Sequence, residues 1–415
     1  MIILYRFLIN ILLILSPLVI IYRILKKKED PERFLEKYGI SNLNRKSGKL
    51  IWFHGSSVGE ILSVIPLIQK LEKRKDIKHI LLTSNTLSSS KVFKKYKLKK
   101  TSHQFFPIDS NIIIKKFLDF WKPYSAIFVE SEIWPNTIIE LKKRNTPIVL
   151  LNARITNKSY KNWKKIENFS SSLFKKINLC LSQNNETNFY LKKLGANKIK
   201  QIGNLKFSEP SLFDKNHLKP KVRNFFNKKK ILFGAISTHP TEEIFCAKVH
   251  SQFKKYYKNI LTIIIPRHID RSLEIKKQIE INGLKVHLHN SKKAVHKDTD
   301  IYIVDTFGET KLFLNFCKIV FLGGSLIKHG GQNPLEAARV GCKVFYGPHI
   351  NNFLEVYNLL NKYKISKKIN KISDAKKIIA TTIFKPNSSK KIIKKLKFIG
   401  NDVLSKNYKE VINYI

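Results

Sequence analysis

Acidic residues, cysteine and methionine are the scarce components of this chain. Only 30 of its 415 residues are Asp or Glu against 78 Lys or Arg, a formal charge of +48. A surplus of that size points to nucleic acid, an anionic membrane surface or a phosphorylated substrate, and by itself does not choose among them. The four cysteines, at 180, 246, 317 and 342, lie far apart and form neither a C-x-x-C pair nor Cys/His ligand spacing. This excludes a zinc ribbon and a disulfide scaffold and leaves a reduced, cytoplasmic body. Walker A and G-x-G-x-x-G loops are also missing, so ATP hydrolysis and nicotinamide chemistry lose support. The lysines are distributed rather than striped, and no helix-turn-helix, RNP or zinc-finger pattern occurs, which argues against a nucleic-acid partner.

Long apolar runs are lacking too, with one exception. From Phe7 to Tyr22 the only interruptions are Asn10, Ser16 and Pro17. As a helix these sixteen residues reach about 24 Å, short of the roughly 30 Å hydrocarbon layer, although Arg6 and Arg23 can snorkel. Arg23, Lys26, Lys27 and Lys28 follow the run, without a small-residue cleavage site. The segment 1–25 therefore reads as an uncleaved membrane anchor, and the basic cluster holds the remainder on the cytoplasmic side of the inner membrane. A helix lying on the surface, or buried in a core, is the alternative.

The remaining chain is hydrophobic enough, at 43%, to fill real cores, and long enough for two of them. Short β-branched runs alternate with amphipathic basic segments, the pattern of βαβ units and parallel sheets. Strands are expected at 50–53, 80–83, 126–129, 148–151 and 179–182, then at 231–234, 261–265, 301–304, 319–322 and 344–346. The polar stretch Ser208 to Lys230 reads as a linker, giving α/β domains over 26–210 and 211–415.

In open α/β sheets ligands bind beyond the carboxyl ends of the strands, which directs attention to the segments following them. The first strand runs into His54-Gly55-Ser56-Ser57-Val58-Gly59-Glu60. Glu60 lies near a helix N-terminus, where the partial positive charge favours a carboxylate ready to accept a proton; the plainer role is a helix cap. Another strand delivers Glu130-Ser131-Glu132-Ile133-Trp134-Pro135-Asn136, and Gly203-Asn204-Leu205-Lys206-Phe207 supplies a lysine. Two carboxylates at a strand end are costly to hold in a cleft unless they bind or react. In the second half the strand ends read Ser237-Thr238-His239, Pro266-Arg267-His268, Asp305-Thr306-Phe307-Gly308-Glu309, and Gly323-Gly324-Ser325 followed by Gly330-Gly331-Gln332-Asn333-Pro334-Leu335-Glu336. Paired glycines admit an anion close to the backbone, Pro334 suits the first turn of a phosphate-binding helix, and Arg267 can grip the same phosphate. Glu336 could accept hydrogen bonds from ribose hydroxyls. No Asp-x-Asp metal pair stands in the expected cleft, so neither a metal nor another cofactor is expected.

Taken in order, and with Asn152-Ala153-Arg154, these motifs resemble the 3-deoxy-D-manno-octulosonic acid (Kdo) transferases of lipopolysaccharide biosynthesis over essentially the whole chain. The resemblance implies a GT-B glycosyltransferase: two Rossmann-like doubly wound domains facing across a cleft, an N-terminal membrane-anchor helix, and a terminal helix packing back on the first domain. It implies transfer of Kdo from CMP-Kdo to a lipid A precursor (lipid IVA) at an anionic inner-membrane surface. By the same resemblance Glu60 is the proton acceptor and Glu130 and Lys206 are transition-state stabilisers. CMP contacts fall on Pro266, Arg267, Phe307, Gly308, Glu309, Asn333, Pro334, Leu335 and Glu336. Departures from the family pattern are Phe307 in place of a common Met, Gln332 for His, Ser208 for Asp, Thr241 for Gly, and a loop at 83–89 without its usual glycine.

Overall fold

The computed structural model describes residues 1–209, 218–229, 231–383 and 388–415. The chain divides into two compact units, Met1–Pro210 with Ile399–Ile415, and Ser211–Phe398. The expected boundary at 210 and 211 lies outside the described residues. Part of the stretch read as a linker is instead the helix Pro220–Lys228, with proline in its first turn and Phe226 buried against Tyr302 and Phe313.

The first unit is built on seven parallel strands: β1 (Lys49–His54), β2 (Ile77–Ser84), β3 (Thr101–Phe105), β4 (Ser125–Val129), β5 (Ile148–Ala153), β6 (Leu179–Ser182) and β7 (Ile199–Gln201). Their order is β3-β2-β1-β4-β5-β6-β7. The inner strands are unbroken apolar runs because helices cover both faces of a parallel sheet, and Leu50, Trp52 and Phe53 are fully buried. Trp52 anchors one layer, packing on Phe117 and Phe128 while its indole N–H donates to Thr83 Oγ1 at 2.9 Å.

The second unit repeats the plan with β8 (Ile231–Thr238), β9 (Ile260–Pro266), β10 (Val286–Leu288), β11 (Ile301–Ile303), β12 (Ile319–Leu322), β13 (Lys343–Tyr346) and β14 (Ser366–Lys368), in the order β10-β11-β9-β8-β12-β13-β14. In each sheet the direction of winding reverses once, between β1 and β4 and between β8 and β12. Such a switch point is where doubly wound sheets open a crevice for ligands.

Four strands were not expected from sequence: β3, β7, β10 and β14. They are the four sheet edges. Edge strands need no apolar run and are kept short and polar, as Ile199-Lys200-Gln201 and Ser366-Lys367-Lys368 illustrate.

The N-terminal helix covers Ile2–Leu25, twenty-four residues, and does not stop at Pro17. Proline removes the N–H that would bind the Leu13 carbonyl, and the Ser16 hydroxyl takes over that carbonyl at 2.7 Å. By length and composition this helix could cross a membrane. All four cysteines are free and buried.

Candidate active site

β1 and β4, the two strands flanking the first switch point, carry the candidate acid–base residues. Beyond β1, Ser57 caps the helix Val58–Glu72: its hydroxyl accepts the Glu60 N–H at 3.3 Å and donates to Glu60 Oε1 at 2.8 Å. Oε2 accepts the Ser56 N–H at 2.7 Å, so both carboxyl oxygens are held. This is a capping box, with the return bond made to the residue before the cap. Glu60 therefore does serve as a cap, and its carboxyl is also unusual. Burial pushes its pKa up to about 7, with Glu132 and Glu130 adding repulsion, against the opposing hydrogen bonds from Ser57 and Ser56. The expectation from the helix end alone, a carboxyl kept readily ionised, is thus corrected: desolvation outweighs the helix field, and the group is poised at neutrality.

Beyond β4, Glu130 is buried and adopts the left-handed conformation at φ 59°, sparsely populated by residues with a side chain. Lys206 Nζ lies 2.5 Å from its Oε1. The lysine is set by a network that begins at Asn152, another left-handed residue just before the end of β5. Asn152 Oδ1 accepts the Leu205 N–H at 2.9 Å, and Asn204 Oδ1 accepts the Lys206 N–H at 2.9 Å. Gly59 lies alongside the lysine stem, where a Cβ would meet Lys206 Cε at an ordinary contact distance of 3.9 Å.

Sequence reasoning missed a neighbouring dyad. Glu132 Oε2 is 3.0 Å from His54 Nε2 and accepts the Trp134 indole N–H at 2.8 Å. The imidazole is fully buried, stacked on Phe106 with ring centroids 3.8 Å apart, and its Nδ1 is 3.0 Å from the Thr83 hydroxyl. The available signal was position, since His54 is the last residue of β1.

In the second unit a cavity of about 320 Å³ opens at the strand ends, lined among others by Pro266, Arg267, Phe307, Gly308, Asn333 and Glu336. Six of the nine residues expected around CMP thus meet in one place. Glu309, Pro334 and Leu335 do not line it. Glu309 is engaged by the Thr306 hydroxyl and stands 3.3 Å from His289 Nε2; Leu335 is buried, with its N–H donated to Asn333 Oδ1 at 3.1 Å. The expected phosphate-binding helix after Pro334 is only Leu335–Arg339.

The glycine-rich turn after β12 also departs from expectation. Its anion is internal: the fully buried Glu242 accepts the N–H groups of His239, Gly324, Ser325 and Leu326 at 2.7–3.0 Å. Gly323 is required by packing, because a Cβ there would lie 2.2 Å from the Ser237 carbonyl oxygen. Thr241, in the position noted for glycine, has φ 78°, a strained value for a β-branched residue. The pair Asp298 and Asp300 precedes β11, away from its carboxyl end, and Asp300 is paired with Lys254 at 2.8 Å. Among the described residues no group of three or more His, Cys, Asp or Glu could hold a metal.

A family profile described as 3-deoxy-D-manno-octulosonic-acid transferase (kdotransferase) matches residues 32–209. A 3-deoxy-D-manno-octulosonic acid transferase of Rickettsia bellii is 34% identical over 354 residues, covering 85% of this chain and 84% of its own. The protein of that name from Haemophilus influenzae is 28% identical over 96% of this chain and 94% of its own. Among solved structures, UDP-GlcNAc 2-epimerase from Neisseria meningitidis, bound to UDP-GlcNAc, aligns with a TM-score of 0.54 at 12% identity, covering 89% of this chain and 99% of its own. That last likeness concerns the fold alone, the GT-B class with two Rossmann-like domains in one chain.

Proposed function

Because the chain belongs to the family of 3-deoxy-D-manno-octulosonic acid (Kdo) transferases, glycosyltransferases of lipopolysaccharide biosynthesis, we propose that it transfers Kdo from CMP-Kdo to a sugar hydroxyl of a lipid A precursor such as lipid IVA, by inverting displacement. Glu60 accepts the hydroxyl proton as the acceptor oxygen attacks the anomeric carbon; the bond from that carbon to the CMP phosphate breaks, and CMP leaves with the electron pair. The observation that carries this reading is the Glu60 carboxyl, held by Ser56 and Ser57 and pushed up to about 7. A base works best with a pKa near the working pH and typically contributes about 10² to 10⁴-fold.

Glu130 and Lys206 act as transition-state stabilisers, the carboxylate for positive charge developing at the anomeric centre and the ammonium for negative charge. Fixed groups of this kind need no reorganisation as the reaction proceeds. CMP is held by the second-unit cavity, with Arg267 on the phosphate and Glu336 within reach of ribose hydroxyls. The leaving group has a single phosphate, and Arg267 supplies the cationic charge that meets it. The enzyme works at the cytoplasmic face of the inner membrane, attached through the N-terminal helix.

The test is to incubate the purified protein with CMP-Kdo and a tetra-acylated lipid A precursor, with excess EDTA, then to weigh the product and determine its anomeric configuration. A product heavier than the acceptor by the mass of a Kdo residue, with inverted configuration, is expected. Retention, or competition by UDP rather than CMP, overturns the assignment of mechanism or donor respectively.

A further inference from the structure

The helix Ile2–Leu25 touches the rest of its unit along one stripe. Tyr5, Ile9, Leu13, Ser16, Ile20 and Arg23 recur at spacings of three and four, one face of a helix, and all are half-buried or buried where most other positions of the helix are exposed. Polar groups on or beside this stripe are bonded to the folded body. The Tyr5 hydroxyl donates to Asp109 Oδ2 at 2.7 Å, Arg6 Nε to Asn136 Oδ1 at 2.9 Å, and Ser16 Oγ lies 2.8 Å from the Tyr38 hydroxyl. Asp109 is itself buried and accepts the N–H groups of Asn136 and Thr137 at 3.0 and 2.9 Å. The N-terminal helix is therefore tied to the start of the helix Pro135–Lys143, whose chain leads directly from Glu130 and Glu132.

The opposite face is bare. Ile3 and Ile14 are 81% and 77% exposed, and Phe7 and Leu18 exceed 60%. No acidic residue occurs before Glu29, and the exposed Lys26, Lys27 and Lys28 end the helix. An apolar face beside a cationic end is complementary to an anionic lipid surface.

Crossing the bilayer and keeping these contacts exclude one another. From Tyr5 to Ser16 the helix rises about 16 Å, so a helix spanning the roughly 30 Å hydrocarbon layer must release every one of them. It would also strip Asp109 of the Tyr5 hydroxyl, one of its two hydroxyl donors beside Thr137. We propose that the N-terminal helix lies flat in the interface of an anionic membrane as a fixed part of the catalytic unit, latched by Tyr5–Asp109 and Arg6–Asn136, with Ile3, Phe7, Ile14 and Leu18 in the acyl layer. The latch holds the Glu130–Asn136 segment at a set height over the leaflet. This rests on the preceding reading that the acceptor is a membrane lipid.

Cysteine labelling of the full chain in native membranes tests it against a silent background, since the four native thiols are buried. A cysteine inserted ahead of Ile2 is expected to react with a membrane-impermeant maleimide from the same side as Lys28→Cys; reaction from opposite sides overturns the proposal. Asn10 and Ser110 touch at 3.4 Å, so the pair Asn10→Cys with Ser110→Cys should cross-link on mild oxidation while Kdo transfer persists. Absence of the cross-link in the membrane-bound, active protein also overturns it. Tyr5→Phe deletes a hydrogen bond to a charged group and should slow cross-linking about tenfold. Neither readout depends on transfer, so a chain that fails both yet still transfers Kdo loses the flat helix and keeps its activity.

Discussion

Lys206 and Glu130 form an ion pair of 2.5 Å in which the carboxylate is buried and the ammonium remains partly open to solvent. The ammonium offsets the cost of burying the Glu130 carboxylate, because a buried charge without its partner is strongly unfavourable. Lys206→Met and Glu130→Gln should each lower kcat and stability. The double variant should be less destabilised than the two losses added together, with a coupling of about 1 to 3 kcal/mol. Denaturant unfolding of the four proteins measures it; strict additivity would mean the pair is not formed.

Glu60 makes a pH-dependent prediction of two signs. As a base it must be ionised, so kcat should rise through about pH 7 and level off above it. Stability runs the other way. The folded pKa of about 7 lies above the ordinary 4.5, so the folded state binds the proton more tightly and loses stability as pH rises from about 4.5 to 7. Glu60→Gln should remove both trends and cut kcat by about 10² to 10⁴-fold. Rate and melting profiles across that range decide it, and a variant with undiminished turnover would remove Glu60 from the mechanism.

Arg267 is exposed at the mouth of its cavity. Arg267→Ala should therefore melt within about 0.5 kcal/mol of the parent. Loss of a charge-assisted bond to phosphate should weaken CMP about 10- to 100-fold. Calorimetric titration with CMP is the measurement; unchanged affinity would dissociate Arg267 from the phosphate.

Glu242 predicts the reverse pattern, a residue that binds no ligand yet cannot be removed. Glu242→Ala leaves four N–H groups without an acceptor, three of them buried at about 1 to 3 kcal/mol each. Loss of the second unit's cooperative melt is expected, and saturating CMP should not restore it. A near-normal melting temperature would contradict the internal-anion account.

The inner strands and the chemistry at their ends were legible because both follow from local pattern: apolar runs such as Ile148–Ala153 mark buried strands, and a polar residue after such a run faces the crevice. Glu60, Glu130 and Arg267 were singled out as candidates in this way. The edge strands were not, because Ile199–Gln201 is specified by its neighbour in the sheet rather than by its own composition. The Gly323-Gly324-Ser325 turn was recognised as an anion nest and assigned the wrong anion, since Glu242 enters it from 82 residues away. No spacing rule reveals a partner that distant. The His54–Glu132 pair was hidden for the same reason: Glu132 stood out as a strand-end carboxylate, but its partner becomes legible only when the sheet brings β1 and β4 side by side.

With Glu60 as the proposed base, the capping box at Ser57 and Glu60 ties catalysis to the integrity of a single helical turn. When that turn frays, Glu60 loses its two donors and its shelter together, and the proton affinity that suits it to the reaction changes with them. Helix ends open long before a domain melts. Heat should therefore silence the enzyme while its sheets are still intact, and cooling should restore it without any refolding lag.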